Sequence, residues 1–236
     1  MASDILTGSR GCIFDYGGTL DTGGNHWGRV IWHSYERMGV PVGEELFREA
    51  YVYAERELGR NPIIQPDYTF EKTLSVKLRI EMEHIGRCMG GFDAPKWHGA
   101  VLADLYGSVK AETARSREVL ARLAGRMPLV LVSNFYGNIH TVLGEFGLDG
   151  LFAGVVESAV VGVRKPDPQI FSLGVKALGM EPGEVTVVGD SYAKDIVPAK
   201  AVGCHTVWMR GEGWTDDEAA DTSAADFTIH RLAELL

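Results

Sequence analysis

The sequence predicts an α/β protein, with a doubly wound parallel sheet as its core and a helical domain inserted into it. Several short apolar runs end abruptly at a polar residue, a pattern that is typical of buried parallel strands. Segments with helical periodicity alternate with these runs, and this alternation predicts helices on both faces of one sheet. One long stretch without a buried strand interrupts the alternation and indicates the insertion.

The strands and helices of the core follow from these patterns. The clearest strands are residues 12–14, 129–132 and 185–189, and shorter ones are expected at residues 155–156, 205–209 and 227–229. Core helices are predicted over residues 115–124, 139–146, 168–178 and 193–202. The sheet is therefore expected to contain five or six strands.

The predicted insertion covers residues 22–114 and is wholly helical. Its helical patterns lie at residues 27–38, 44–58, 70–85 and 96–106. The expected division is therefore a core of residues 1–21 and 115–236 and a helical cap of residues 22–114. A cap inserted after the first strand would cover the strand ends.

Composition and charge restrict the class of partner. The 236 residues carry a net charge of −9 and no basic block, so neither nucleic acid nor an anionic membrane surface is favoured. No apolar segment approaches the roughly 20 residues that span a bilayer. Cys12, Cys88 and Cys204 are widely spaced and odd in number, which favours buried, reduced thiols. We expect a cytoplasmic protein that acts on a small molecule, and the sequence leaves its oligomeric state open.

Polar side chains follow three of the predicted strands at the point where each strand ends. Asp15, Ser133 and Asp190 occupy these positions. Because ligands of open parallel sheets bind beyond the carboxyl ends of the strands, these three side chains are expected to meet in one cleft.

Four segments resemble the ordered motifs of the haloacid dehalogenase superfamily. Residues 14–21, Phe-Asp-Tyr-Gly-Gly-Thr-Leu-Asp, resemble the first motif, and Ser133 with Asn134 the second. Residues 164–168, Arg-Lys-Pro-Asp-Pro, resemble the third, and residues 189–191 with Asp195 the fourth. Four motifs in this order are far more specific than any one of them. The resemblance covers residues 10–20 and 115–232 and implies a Rossmann-like core with a cap.

The resemblance implies a chemistry for the first and fourth motifs. In this family the aspartate at the position of Asp15 attacks the substrate and forms an aspartyl-enzyme intermediate. Asp15, Asp190 and the backbone carbonyl of Gly17 are the implied ligands of Mg²⁺, which prefers oxygen. The implied activity is Mg²⁺-dependent hydrolysis of a small phosphorylated metabolite.

The remaining motif residues would bind or stabilise the phosphoryl group. Lys165 would supply positive charge to the equatorial oxygens of the transition state, and Asp195 would orient Lys165 or a water. Ser133 and the Asn134 backbone N–H would bind a phosphoryl oxygen, and Thr19 is also assigned to substrate binding by the resemblance.

Gly17 departs from the family pattern and leaves alternatives open. Phosphatases of the family carry a second aspartate there as general acid, and its loss disfavours poor leaving groups. His26 is a candidate substitute for this acid. A second interpretation is a phosphonatase-like C–P hydrolase that uses Lys72 or Lys77 as a Schiff-base amine. A third interpretation is a regulatory protein that binds phosphate or metal. Dehalogenase chemistry is the least favoured.

Overall fold

The core is a six-stranded sheet. The structure is a computed structural model that describes residues 5–214 and 222–236. All strand pairs of the sheet are parallel, in the order β3-β2-β1-β4-β5-β6. The strands are β1 (Gly11–Phe14), β2 (Leu129–Ser133), β3 (Gly154–Glu157), β4 (Val185–Gly189), β5 (His205–Met209) and β6 (Phe227–Ile229). The predicted fold class is confirmed, and all six predicted strands are present.

Eight α-helices accompany the sheet in the described part of the chain. Four precede β2: α1 (Trp27–Met38), α2 (Glu44–Arg60), α3 (Phe70–Cys88) and α4 (Ala94–Ala124). Four lie among the later strands: α5 (Ile139–Glu145), α6 (Ser158–Val161), α7 (Gln169–Leu178) and α8 (Val197–Val202). A π-helical turn, Tyr192–Ile196, leads into α8. In the described ranges, no helix combines the length and apolar character needed to cross a membrane.

Alternate residues of the strands enter two separate apolar clusters. Cys12 and Phe14 of β1 pack in one cluster, whereas Ile13 packs in the other with Phe171 of α7 and Ala199 of α8. Successive side chains of a strand point to opposite faces, so both faces of this sheet are covered. The central strands are therefore fully buried, and only their ends are available for a binding site.

Helix α4 is longer than the sequence pattern predicts. The predicted helices at residues 96–106 and 115–124 are parts of this one helix, which runs across the proposed boundary at residue 114. Gly107 lies within it, where glycine costs about 1 kcal/mol of helix stability relative to alanine. Packing of α4 against α1 and α3 stabilises the helix despite this glycine. The division into core and cap stays a prediction, and residues 1–4 lie outside the described part of the chain.

The three cysteines do not share one environment. Cys12 and Cys204 are buried, as predicted, but Cys88 is exposed at the last residue of α3. The expectation of three buried thiols was therefore wrong for Cys88.

Candidate active site

The structure brings Asp15, Ser133 and Asp190 to one edge of the sheet, as the strand pattern predicts. Strand β1 lies between β2 and β4, and the Asp15 N–H donates to the Val188 carbonyl at 3.0 Å. The strand order reverses at this point, which is where open α/β sheets bind ligands. All three side chains line a cavity of about 680 Å³ that lies between the sheet edge and the inserted helices.

Lys165 forms the centre of a buried ion-pair network at the cavity floor. Its Nζ lies 2.5 Å from Asp15 Oδ1 and 2.6 Å from Asp195 Oδ1. Burial opposes the charged form of the amine, but the Asp15 and Asp195 carboxylates outweigh it and raise the pKa of Lys165. The lysine is therefore a fixed positive charge beside the Asp15 carboxylate.

The Asn134 side chain positions the loop that carries this lysine. Its amide Nδ2 donates to the Lys165 carbonyl at 3.0 Å, and its Oδ1 accepts from the Lys165 N–H at 2.9 Å. These reciprocal bonds join the end of β2 to the third motif. The resemblance assigned only the backbone of Asn134, so this positioning role is an addition from the structure.

Three carboxylates converge beside Lys165. Oxygen atoms of Asp15, Asp190 and Asp195 lie within 4.8 Å of one another. Burial, followed by the nearby Asp195 and Asp15 carboxylates, raises the pKa of Asp190, and burial raises the pKa of Asp195 to about 6. The three carboxylates form an oxygen-only donor set, which fits a hard divalent cation such as Mg²⁺. Gly17, the third ligand implied by the resemblance, also lines the cavity.

Two glycines permit the close packing of these acids. A Cβ added at Gly18, whose φ is +101°, would lie 2.4 Å from Asp190 Oδ2. A Cβ added at Gly189 would lie 2.4 Å from the Cβ of Asp195. Because any side chain at either position would displace a carboxylate, glycine is required there.

Thr19 lies behind the carboxylates and does not line the cavity. It is fully buried; its hydroxyl donates to Asp190 Oδ1 at 3.0 Å and accepts from the Asp190 N–H at 3.0 Å. Thr19 was predicted to be a substrate-binding residue. The structure instead places it where it orients Asp190, because the turn after β1 directs its side chain into the core.

Among the described residues, no acidic side chain lies within 4 Å of a Cβ added at Gly17. The nearest heavy atom to a Cβ added at Gly17 is Trp27 Nε1, at 3.9 Å. That indole donates to Asp21 Oδ2 at 3.1 Å, and the Gly18 N–H donates to Asp21 Oδ1 at 2.7 Å. Burial raises the pKa of Asp21 to about 7, but both its oxygens accept hydrogen bonds from these donors. Asp21, to which the first motif assigned no role, is thus held in place by the Gly18 backbone and the Trp27 indole.

His26 lines the same cavity but is unsuited to donate a proton. Its Nδ1 accepts from the Gly28 N–H at 3.0 Å, which caps α1 and leaves the proton of the neutral ring on Nε2. Burial, together with the positive charges of Lys194 and Lys77, lowers the pKa of His26 to about 4. The lowered pKa favours the neutral ring near neutral pH.

The two candidate cap lysines occupy different environments. Lys72 is exposed and lies 3.6 Å from the centre of the Tyr68 ring, outside the cavity lining. Lys77 lines the cavity and forms an ion pair with Glu55 of α2. Burial opposes its charged form, but the Glu55 carboxylate outweighs this and raises the pKa of Lys77. The helix patterns do not predict this pair, because it depends on how α2 and α3 pack against each other.

The fold and this cavity define a class of protein: an α/β enzyme with a buried aspartate, a partner lysine and an acidic cluster at the sheet switch point. A family model described as haloacid dehalogenase-like hydrolase matches residues 10–203. The chain belongs to the haloacid dehalogenase-like hydrolase family, which confirms the resemblance drawn from the four motifs.

Relatives and solved structures agree with this assignment. A glyceraldehyde 3-phosphate phosphatase from Pyrococcus furiosus is 38% identical over 207 residues, 85% of this chain and 79% of that protein. A phosphoserine phosphatase from Thermus thermophilus is 39% identical over 92 residues, 38% of this chain and 37% of that protein. A dehalogenase solved with an intermediate complex matches at a TM-score of 0.64 and 17% identity, over 97% of this chain and 96% of that chain. The solved structure supports the fold alone, whereas the phosphatase-named relatives support a phosphoric monoester hydrolase.

Proposed function

We propose that the protein is a Mg²⁺-dependent phosphatase that forms an aspartyl intermediate at Asp15 and acts on small phosphorylated metabolites with good leaving groups. The observation that carries the proposal is the contact of Lys165 Nζ with both Asp15 and Asp195 at the floor of the cavity. This arrangement supplies a nucleophile, a fixed cation and an acidic cation site in one place.

The residues of the chain account for the transfer step. An Asp15 carboxylate oxygen attacks phosphorus, the bond from phosphorus to the leaving oxygen breaks, and the leaving group departs with the electron pair. Lys165 compensates negative charge on the phosphoryl oxygens, and Asp195 keeps its ammonium in position. Ser133, at the end of β2, lines the cavity where a phosphoryl oxygen would be bound.

The second step restores the enzyme. Water attacks the phosphorus of the aspartyl phosphate, the bond from phosphorus to the Asp15 oxygen breaks, and inorganic phosphate leaves. Asp15, Asp190 and the Gly17 carbonyl would hold Mg²⁺, and the acidic cluster around them fits such an ion. When bound, this ion supplies Lewis-acid stabilisation of negative charge.

The leaving-group preference follows from Gly17. The family acid is absent at this position, His26 is neutral, and both oxygens of Asp21 accept hydrogen bonds. An alkoxide needs a proton as it departs, whereas a carboxylate or phenolate does not. Acyl and aryl phosphates are therefore the favoured substrates. The two phosphatase relatives are named for glyceraldehyde 3-phosphate and phosphoserine, which are alkyl phosphates. Turnover of these two compounds is therefore a stringent test of the proposed leaving-group preference.

The geometry does not favour C–P cleavage through an imine. A Schiff base requires a neutral amine, but Lys77 is paired with Glu55 and is held protonated. Lys72 is exposed and does not line the cavity.

Turnover by the wild type and by Asp15→Asn tests the proposal. We expect Mg²⁺-dependent release of phosphate from acetyl phosphate and p-nitrophenyl phosphate, abolished by a chelator, and a loss of at least about 10³-fold in kcat for Asp15→Asn. Asp149→Asn, at an exposed aspartate, is the matched control and should retain activity. Undiminished turnover in Asp15→Asn would refute the nucleophile. Turnover of phosphonoacetaldehyde alone would favour C–P cleavage, and phosphate binding without any turnover would favour a regulatory protein.

A further inference from the structure

Three side chains of different chemistry meet on the outer side of helices α2 and α3. His84 and Cys88 are four residues apart on α3, which places them on one face of the helix, and Glu49 approaches from α2. Glu49 Oε1 lies 2.8 Å from His84 Nε2, and Cys88 Sγ lies 3.7 Å from the same nitrogen. All three donor atoms lie within 4.8 Å of one another. None of these residues lines the catalytic cavity.

The imidazole at the centre of this group is held in a fixed orientation. The His84 ring stacks on Tyr53, with ring centroids 4.4 Å apart and planes inclined by 29°. The Arg87 guanidinium lies 5.2 Å from the centre of the Tyr53 ring and supports the stack. His84 Nε2 therefore stays directed at the carboxylate and the thiol.

We propose that Glu49, His84 and Cys88 form a binding site for a borderline-soft divalent metal of the Zn²⁺ type. Imidazole nitrogen, thiolate and carboxylate are all ligands of Zn²⁺, at roughly 2.0–2.3 Å. In a tetrahedral site these bond lengths place nitrogen and sulfur roughly 3.5 Å apart, close to the observed 3.7 Å. The carboxylate must move outward by roughly 0.5 Å from its present hydrogen bond, and the fourth position is left to water.

This site differs in chemistry from the acidic cluster in the cavity. A thiolate and an imidazole discriminate against Mg²⁺, which prefers oxygen ligands, whereas the cavity cluster offers carboxylates alone. A metal bound here would connect α2 to α3. The same two helices contribute Glu55 and Lys77 to the cavity wall, so occupancy would stabilise that wall against separation of the helices.

Alkylation of Cys88 gives a direct readout that does not depend on activity. Cys88 is exposed while Cys12 and Cys204 are buried, so iodoacetamide reports mainly on Cys88, and peptide mapping identifies the labelled residue. With saturating Mg²⁺ present, stoichiometric Zn²⁺ should slow the labelling of Cys88 at least about tenfold, because a coordinated thiolate is a weaker nucleophile. His84→Ala should remove this protection. His140→Ala, at an exposed histidine on α5, should retain it.

Substitution of Zn²⁺ by Co²⁺ supplies an independent test of the thiolate ligand. The wild type should show a near-ultraviolet sulfur-to-cobalt charge-transfer band that Cys88→Ser lacks. Co²⁺ in the cavity cannot produce this band, because the lining of that site contains no cysteine. Unchanged labelling of the wild type in Zn²⁺ would overturn the proposal, and so would equal protection of wild type and His84→Ala or a thiolate band that survives Cys88→Ser.

Discussion

Gly17→Asp should convert the enzyme into an efficient hydrolase of alkyl phosphates. The nearest heavy atom to an added Cβ is Trp27 Nε1 at 3.9 Å, an ordinary contact distance. Gly17 is also not among the described glycines with positive φ, so an aspartate meets no backbone strain there. The carboxyl group would enter the cavity that already contains Asp15, two residues earlier in the chain.

The size of the effect follows from the role of a general acid. A positioned acid is typically worth about 10²–10⁴ in rate, so kcat/KM for glyceraldehyde 3-phosphate or phosphoserine should rise by about 10²-fold or more. That gain corresponds to about 3 kcal/mol of transition-state stabilisation. p-Nitrophenyl phosphate needs no protonation of its leaving group, and its kcat/KM should change by less than about tenfold. Phosphate release under saturating Mg²⁺ measures both values.

Gly17→Asn is the matched control, since asparagine has nearly the same shape as aspartate but carries no transferable proton. This variant should hydrolyse the alkyl phosphates as slowly as the wild type does. Equal gains in the Asp and Asn variants would show that shape, not acidity, limits the reaction. A folded Asp variant that keeps its aryl phosphatase activity without any gain on alkyl phosphates would refute the reasoning on Gly17.

Two further substitutions test the buried charges. Burial raises the pKa of Glu81 to about 8, although Lys77 opposes this and Glu55 adds to it. Relative to an unfolded pKa of 4.5, the contribution of Glu81 to stability is therefore greatest below pH 4.5 and is lost as the pH rises towards 8. Glu81→Gln should remove this dependence and raise the free energy of unfolding at pH 7 by up to about 3 kcal/mol, and parallel pH profiles of urea unfolding for the two proteins would contradict it. Lys165→Met leaves Asp15 and Asp195 buried without their cation, so kcat should fall by about 10²–10³-fold and unfolding free energy by about 3–5 kcal/mol. An unchanged urea midpoint and unchanged turnover would contradict that expectation.

The centre of the sheet was predictable because strands β1, β2 and β4 are buried on both faces. Such strands are continuous apolar runs, and each run here stops where the chain leaves the core, at Asp15, Ser133 or Asp190. Parallel strands bring the polar residues at their carboxyl ends to one edge of the sheet. The convergence of these three side chains could therefore be predicted without knowledge of the family. Helix α4 was predicted less well, because Gly107 interrupts its local propensity while packing against α1 and α3 maintains it.

Side-chain roles that depend on contacts between distant segments could not be read from the sequence. Thr19 lies in the first motif, but its burial behind Asp190 is set by the turn after β1. The pairing of Lys77 with Glu55 depends on how α3 packs against α2, and neither helix pattern contains that information. The exposure of Cys88 likewise depends on which face of α3 is covered.

Two independent features of the cavity favour the same kind of leaving group. Gly17 has no side chain that could donate a proton, which favours a group that departs as a stable anion. The cap side of the cavity presents aromatic rings around a fixed ammonium group, because Lys77 Nζ lies 4.4 Å from the centre of the Tyr51 ring and 5.8 Å from that of Trp27. A planar phenolate could stack on such rings and place its developing negative charge near the ammonium. The shape of the cap side and the chemistry of the floor are thus consistent with an aryl phosphate. A comparison of kcat/KM for aryl and acyl phosphates would separate the contribution of stacking from that of the leaving-group pKa.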